Sequence, residues 1–204
     1  QSGFDRLNHY TLKKQTMNTL KQLSTLALAS LFIFSCSSDD DSIPEIVNEE
    51  ELITTTTISL TSEGNPTVTF TATDLDGDGP NAPVIDDVNL LANTTYTGTV
   101  TLLNETESPA EDITEEVAEE ADEHQFFYQA STSLNVTTDY ADADADGNPV
   151  GINFSLITGE ASNGTFTVTL RHEPSKDASG VAEGDITNAG GETDVTQTFN
   201  VIVE

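Results

Sequence analysis

The chain has 204 residues and carries 36 acidic but only 6 basic side chains, which gives a formal net charge of −30 at pH 7. Nucleic-acid binding normally needs clustered Lys and Arg, so this charge balance excludes nucleic acid as a partner. Apolar segments recur along most of the sequence, so we expect one folded domain of ordinary size rather than disorder throughout.

The N-terminal part of the chain predicts an export signal followed by a tether. The apolar stretch Leu23 to Phe34 is too short to span a bilayer and suits the hydrophobic part of a signal peptide, although a buried core helix is the alternative. The following stretch is rich in Ser, Asp and Glu, so we expect it to be extended. The predicted organisation is upstream, non-native residues 1–16, a signal peptide at 17–35, an acidic tether at 36–50 and a β-sandwich domain at 51–204.

The single cysteine of the chain, Cys36, directly follows the apolar stretch. Ser35 precedes it and Ile33 stands three residues before it, an arrangement that resembles the lipobox of bacterial lipoprotein signal peptides. The tract Ser38 to Asp41 resembles the acidic export signal of surface lipoproteins from Bacteroidota-type bacteria. These resemblances imply lipidation of Cys36, a membrane attachment through that lipid, and a position at the outer membrane with its outer face favoured.

Beyond the tether, apolar and polar residues alternate, a pattern with a period of two residues. This pattern predicts strands, which are separated by turns rich in Gly, Asn, Asp and Pro. About eight such segments predict an all-β fold, an antiparallel immunoglobulin-like β-sandwich. The predicted strands are Leu52 to Leu60, a segment around Val68 and Phe70, Tyr96 to Leu103, His124 to Gln129, Leu134 to Tyr140, Val150 to Ile157, Gly164 to His172 and Thr193 to Val203.

One segment departs from this period and predicts a short acidic helix. Ser108 is the expected N-cap, Pro109 the first helical residue and Glu111 the third residue after the cap. Its many carboxylates repel one another at i and i+4, so the helix is stable only when it is packed or when cations gather beside it. Its apolar face would contain Ala110, Ile113, Val117 and Ala121.

Two loops follow the pattern DxDxDG, in which alternate carboxylates converge on a hard cation and the glycine permits a sharp turn. They predict calcium sites, although Asp and Gly also make ordinary turns between strands. Helix-loop-helix calcium hands need a glutamate at the twelfth position, where this chain has Ile85 and Asn153, so these loops are not such hands. The candidate ligands are Asp74, Asp76 and Asp78 in the first loop and Asp142, Asp144 and Asp146 in the second.

Two histidines of the predicted domain, His124 and His172, fall at strand ends beside carboxylates such as Glu173. By strand parity, His124 shares a face with Phe126 and His172 with Leu170, so each is expected where an apolar face meets a loop. Imidazole with carboxylate suits zinc, copper, iron or nickel better than calcium. The sequence therefore offers a transition-metal site at His124, His172 and Glu173; the alternative is that each histidine is hydrogen-bonded at its strand end.

Motifs of catalysis are sparse in this sequence. It has no GxSxG elbow, no HExxH pair and no glycine-rich loop leading into a helix. Paired carboxylates of a carbohydrate-active enzyme are an open alternative, but the chain has no Trp for a sugar platform. We therefore expect a protein that is not an enzyme.

The stretch Glu173 to Asp194 is glycine-rich and predicts a functional or mobile loop, with plain surface irregularity as the alternative.

Several segments together resemble a family of small flavobacterial outer-membrane lipoproteins, whose members often carry the label of a type 1 periplasmic binding fold. That label implies two α/β lobes, for which this chain is too short and too rich in strands. The resemblance implies no established activity, and a role beside TonB-dependent outer-membrane receptors is an expectation. From the aspartate loops and the histidines we expect a lipid-anchored, cation-binding protein that captures metal or ligand for such a receptor. A calcium-stabilised structural or adhesive module that binds glycan or protein is the rival expectation. The segments are Asp74 to Pro83, Asp122 to Tyr128, Tyr140 to Pro149, Leu170 to Pro174 and Gly184 to Gly191.

Overall fold

A computed structural model describes residues 52–76 and 81–204 of the chain. The predicted signal peptide, the lipidation site Cys36 and the acidic tether lie outside the described residues, and so does Asp78 of the first aspartate loop. Within the described residues, no helix is both long enough and apolar enough to cross a membrane.

The larger of two sheets is built from seven strands, which are β1 (Thr55–Thr61), β2 (Val68–Thr73), β3 (Val84–Ile85), β5 (Thr95–Asn104), β6 (Glu111–Asp112), β8 (Val136–Tyr140) and β9 (Asn153–Thr158). Their order is β3-β2-β1-β5-β9-β8, and the short β6 pairs with the end of β5. All of these pairings are antiparallel. The strands alternate buried and exposed residues, as β5 does along its whole length, because one face packs on the core.

The smaller sheet has the order β4-β11-β10-β7. Its strands are β4 (Asp87–Leu90), β7 (His124–Ala130), β10 (Ser162–His172) and β11 (Glu192–Val203). The pairs β10–β11 and β10–β7 are antiparallel, whereas β11–β4 is parallel. The predicted antiparallel sheet arrangement therefore holds except at β4, an edge strand that the sequence pattern did not reveal.

The two sheets share one hydrophobic core, which confirms the predicted all-β sandwich. Phe70 of the larger sheet meets Phe199 of the smaller one edge to face, with ring centroids 4.8 Å apart. Tyr128 stacks on Phe154 with ring centroids 4.2 Å apart, so a second aromatic contact joins the two sheets.

The predicted helix exists but begins later than its capping motif suggested. It is α1, Ile113–Glu119, and its N-cap is Asp112, whose side chain accepts a hydrogen bond from the backbone N–H of Thr114. Ser108 is not the cap, because residues 111–112 are already extended and paired with β5. Ile113 and Val117 are buried as predicted, while Ala110 is exposed. The helix thus owes its place to apolar packing on the larger sheet.

Residues 173–191, here called the covering loop, pack on the outer face of the smaller sheet. They contain a 3-10 turn, Ile186–Asn188, capped by the side chain of Asp185. Val181 and Ala189 of the covering loop are buried against Phe127 of β7, forming a small second core. The loop that the sequence predicts as functional or mobile is therefore anchored by apolar contacts and starts directly after His172.

Candidate metal centre

Strand register brings the two histidines together at one end of the smaller sheet. β7 and β10 run antiparallel, and His124 stands directly opposite His172 in their register. The imidazole rings are stacked, with centroids 4.6 Å apart and planes inclined by 17°. The meeting of these side chains, which the sequence left as a hypothesis, is thus present in the structure.

His124 forms the buried floor of this site. Its exposed fraction is 0%, and its Nδ1 lies 3.1 Å from the backbone carbonyl of Glu120, at the end of α1. A proton on Nδ1 would be donated to that carbonyl, which leaves Nε2 as the nitrogen with a lone pair for a metal. Burial lowers the pKa of His124 and outweighs the opposing hydrogen bond to Glu120, with the nearby His172 adding to the decrease. A lower pKa favours the neutral imidazole, which is the form that binds metal.

A β-bulge adds a carboxylate that the sequence analysis missed. The register of β11 against β10 shifts between Leu170 and Arg171, and Asp194 is the extra residue. Strict alternation along β11 would place Asp194 on the exposed face with Thr196. The extra residue of the bulge instead turns the Asp194 side chain inward. The Asp194 side chain is only 4% exposed, and its Oδ2 lies 3.9 Å from Nε2 of His124.

Two exposed glutamates form the rim of the site. Oε2 of Glu123 lies 3.7 Å from Nε2 of His172, and the Glu123 side chain is 51% exposed. The backbone N–H of Glu173 donates to the carbonyl of Glu123, which extends the β7–β10 pairing beyond the histidines. Glu173 was a predicted ligand, but Glu123 was not, although its position next to His124 was the available signal.

These side chains form two potential ligand groups that share His172. The inner group is His124, His172 and Asp194, and the outer group is Glu123, His172 and Glu173; within each, the ligand atoms lie within 4.8 Å of one another. Two ligand atoms bound to one tetrahedral zinc are about 3.3–3.4 Å apart. The 3.9 Å between His124 and Asp194 exceeds this by about half an ångström, a gap that small side-chain rotations close.

The backbone around the rim is strained. Glu173 has φ +48°, a left-handed conformation that residues with a side chain rarely adopt. Gly191, at the end of the covering loop, lies so close that an added Cβ would be 2.2 Å from the carbonyl oxygen of His172. Strain of this kind tends to concentrate at functional sites, because the surrounding structure must hold it in place.

The second aspartate loop is not a cluster of free carboxylates. Asp142 accepts hydrogen bonds from the backbone N–H groups of Gly151 and Asn153, both at 2.6 Å. Asp144 pairs with the ammonium group of Lys176, with Nζ 3.0 Å from Oδ2. Burial raises the pKa of Asp144, but the Lys176 ammonium and neighbouring backbone N–H donors outweigh it, so the pKa lies below its usual value.

Lys176 therefore supplies a positive charge beside Asp144, and calcium binding by the second loop stays a prediction. Its side chain is 5% exposed, and Nζ also donates to the carbonyl oxygens of Ala121 and Pro149. Asp142, Asp144 and Asp146 do not form one of the ligand groups found among the described residues. In this loop the carboxylates act as turn caps and as partners of a buried lysine.

The first aspartate loop is only partly described. Asp76 accepts hydrogen bonds from the backbone and side-chain nitrogens of Asn81, at 3.3 and 2.7 Å, which is typical of a carboxylate that closes a turn. Asp74 follows β2, and its backbone N–H donates to Thr54. Because Asp78 lies outside the described residues, calcium binding by this loop stays a prediction.

No family model matches the chain, and no curated protein and no solved structure matches it either. The resemblance to flavobacterial outer-membrane lipoproteins, together with its implied location and partner, therefore stays a prediction from the sequence.

Proposed function

We propose that this protein binds one divalent transition-metal ion through the inner and outer groups, with zinc or copper favoured over calcium. The observation that carries the proposal is the pairing of His124 with His172 beside an inward-turned Asp194. Imidazole nitrogen together with carboxylate oxygen suits zinc, copper, iron or nickel better than calcium. A formal net charge of −30 also raises the local concentration of cations at the surface.

The proposed role is capture of the ion by a protein anchored to the outer membrane, with delivery to a TonB-dependent receptor. The lipobox resemblance around Cys36 supports the anchor, and the resemblance to flavobacterial lipoproteins supports the receptor as partner. Binding rather than catalysis is proposed, because the cluster contains ligands and no nucleophile beside a base.

Calorimetric titration of the full chain with zinc, without an added histidine tag, tests metal binding. We expect one zinc per chain and a loss of affinity of at least about 100-fold in the His124→Ala/His172→Ala variant, since even second-shell changes at metal sites weaken binding about 10–100-fold. His9 is the third histidine of the chain and stays in this variant, so it reports the background.

The matched control is Asp146→Asn, which removes an exposed carboxylate of the second aspartate loop. This variant should bind zinc like the wild type. Unchanged zinc affinity in the double histidine variant would refute the proposed site. Calcium binding without zinc binding would favour the calcium-stabilised module instead.

A further inference from the structure

We infer that the metal centre works in two steps: the outer group captures the incoming ion, and His172 then carries it to the inner group. This inference rests on the proposed metal-binding function and specifies its route. Three observations support it, and they concern the shared ligand, the burial of the two groups and the orientation of the imidazole rings.

The shared ligand is His172, which belongs to both groups. An ion that moves from the outer to the inner group can keep His172 among its ligands. It exchanges the two carboxylate oxygens of Glu123 and Glu173 for one nitrogen of His124 and one oxygen of Asp194. The step is a ligand exchange in which the oxidation state of the ion does not change.

Burial orders the two groups from solvent to interior. Glu123 and Glu173 are exposed, the His172 side chain is 10% exposed, and the side chains of His124 and Asp194 are 0% and 4% exposed. A hydrated ion therefore meets carboxylate oxygens first. The inner group has two nitrogen ligands and lies in a drier environment, so it should hold a borderline-soft ion such as zinc more tightly.

The orientation of the rings makes the transfer a separate step. A metal bound to an imidazole nitrogen lies close to the plane of that ring, and the planes of His124 and His172 are nearly parallel at 17° and stacked at 4.6 Å. Two such planes do not converge within bonding distance of both nitrogens. One ion can therefore bind both histidines only after a ring rotates. His172 lies nearer the rim, whereas His124 is held by the Glu120 carbonyl, so His172 is the ring expected to rotate.

Stopped-flow absorbance with Co²⁺ as the probe tests this order on the full chain. The wild type should show a fast phase whose rate rises with Co²⁺ concentration, followed by a slower phase that is independent of concentration. In Glu123→Gln/Glu173→Gln the fast phase should slow by at least about tenfold, since charge-lined clefts raise association rates 10- to 1000-fold. The final spectrum should be unchanged, because the inner ligands are intact.

The control is Glu160→Gln/Glu204→Gln, which removes the same charge from exposed positions beside the Ser162 end of β10, opposite the end that carries His172. A strand of 11 residues spans roughly 35 Å, well beyond the roughly 10 Å over which solvent leaves charges unscreened, so the fast phase should stay within about twofold of wild type. Asp194→Asn should keep the fast phase and lose the slow one. A single concentration-dependent phase in the wild type, or equal kinetics in the two glutamate double variants, would overturn the two-step route while leaving metal binding intact. Absence of any Co²⁺ spectrum would instead reject the metal site itself.

Discussion

The strained backbone of Glu173 gives a direct test of whether the rim is built for function. Glu173→Gly removes a carboxylate from the outer group and also removes the side chain that makes φ +48° unfavourable. A left-handed conformation costs a residue with a Cβ about 1–2 kcal/mol, and glycine escapes this cost. Glycine also gives the unfolded chain more freedom, which offsets about 0.5–1 kcal/mol.

The net expectation is a gain in stability of about 0–1.5 kcal/mol, centred near 0.8 kcal/mol, which is equivalent to a rise in Tm of a few degrees for a domain of this size. Urea denaturation followed by circular dichroism measures the change in the free energy of unfolding. The same variant should bind Co²⁺ with a slower fast phase. A mutation that stabilises the fold and also weakens metal binding would indicate that the folded protein holds this site in a strained conformation.

Two matched variants separate strain from charge. Glu173→Ala removes the carboxylate but keeps the strained Cβ, so its stability should stay within about 0.5 kcal/mol of wild type. Asn93 has φ +50° in a turn far along the chain from the site, and Asn tolerates this conformation, so Asn93→Gly should change stability little. If Glu173→Gly were no more stable than Glu173→Ala, the strain argument would be wrong.

Three further predictions concern the buried lysine and the core. Lys176→Met leaves the carboxylate of Asp144 buried without its partner and should lower the free energy of unfolding by about 3–5 kcal/mol in urea, whereas Asp146→Asn in the same loop should change it by less than about 0.5 kcal/mol. The pKa of Asp144 is depressed in the folded state. The ionised Asp144 carboxylate therefore makes its full contribution to the free energy of unfolding at pH values above the ordinary aspartate pKa of about 3.9. That contribution declines as pH falls through the lower folded pKa, so the stability gap between wild type and Asp144→Asn should narrow in acid titrations; a gap independent of pH would contradict this. Gly98→Ala would place a Cβ 2.4 Å from the ring of Phe154 and should destabilise the sandwich by about 1–3 kcal/mol, measured by thermal unfolding.

The fold was largely predictable because its long strands are half-buried. β5 alternates over ten residues, and that alternation predicts a strand without any knowledge of its partners. β4 has only four residues, Asp87–Leu90, and pairs in parallel with a strand far along the chain. So short a segment carries too little periodic signal, and its parallel pairing depends entirely on tertiary contacts.

The candidate site was predictable only where it depends on strand parity. Parity placed His124 and His172 on the inward face, and both are indeed buried. Parity fails for Asp194, because the bulge adds one residue to β11 and reverses the direction of that side chain. Strand parity also cannot predict the partner of Lys176, which lies in a loop and pairs with Asp144, 32 residues away in the sequence. The DxDxDG pattern predicted calcium, and that stays a prediction; the cation that the structure places beside Asp144 in the second loop is Lys176.

The use of basic side chains bears on which cation could balance the remaining carboxylates. From residue 52 onward the sequence contains two basic residues, Arg171 and Lys176, and both flank the candidate metal centre. Arg171 donates to the carbonyl of Gly191, and Lys176 joins the end of α1 to the second aspartate loop. Both cations thus hold the loops that frame the centre, and within the described residues neither forms an ion pair with Glu123 or Glu173. Repulsion between those glutamates would then be relieved most directly by an ion from solution, which would stabilise the folded chain by an amount that rises with the logarithm of its concentration relative to Kd.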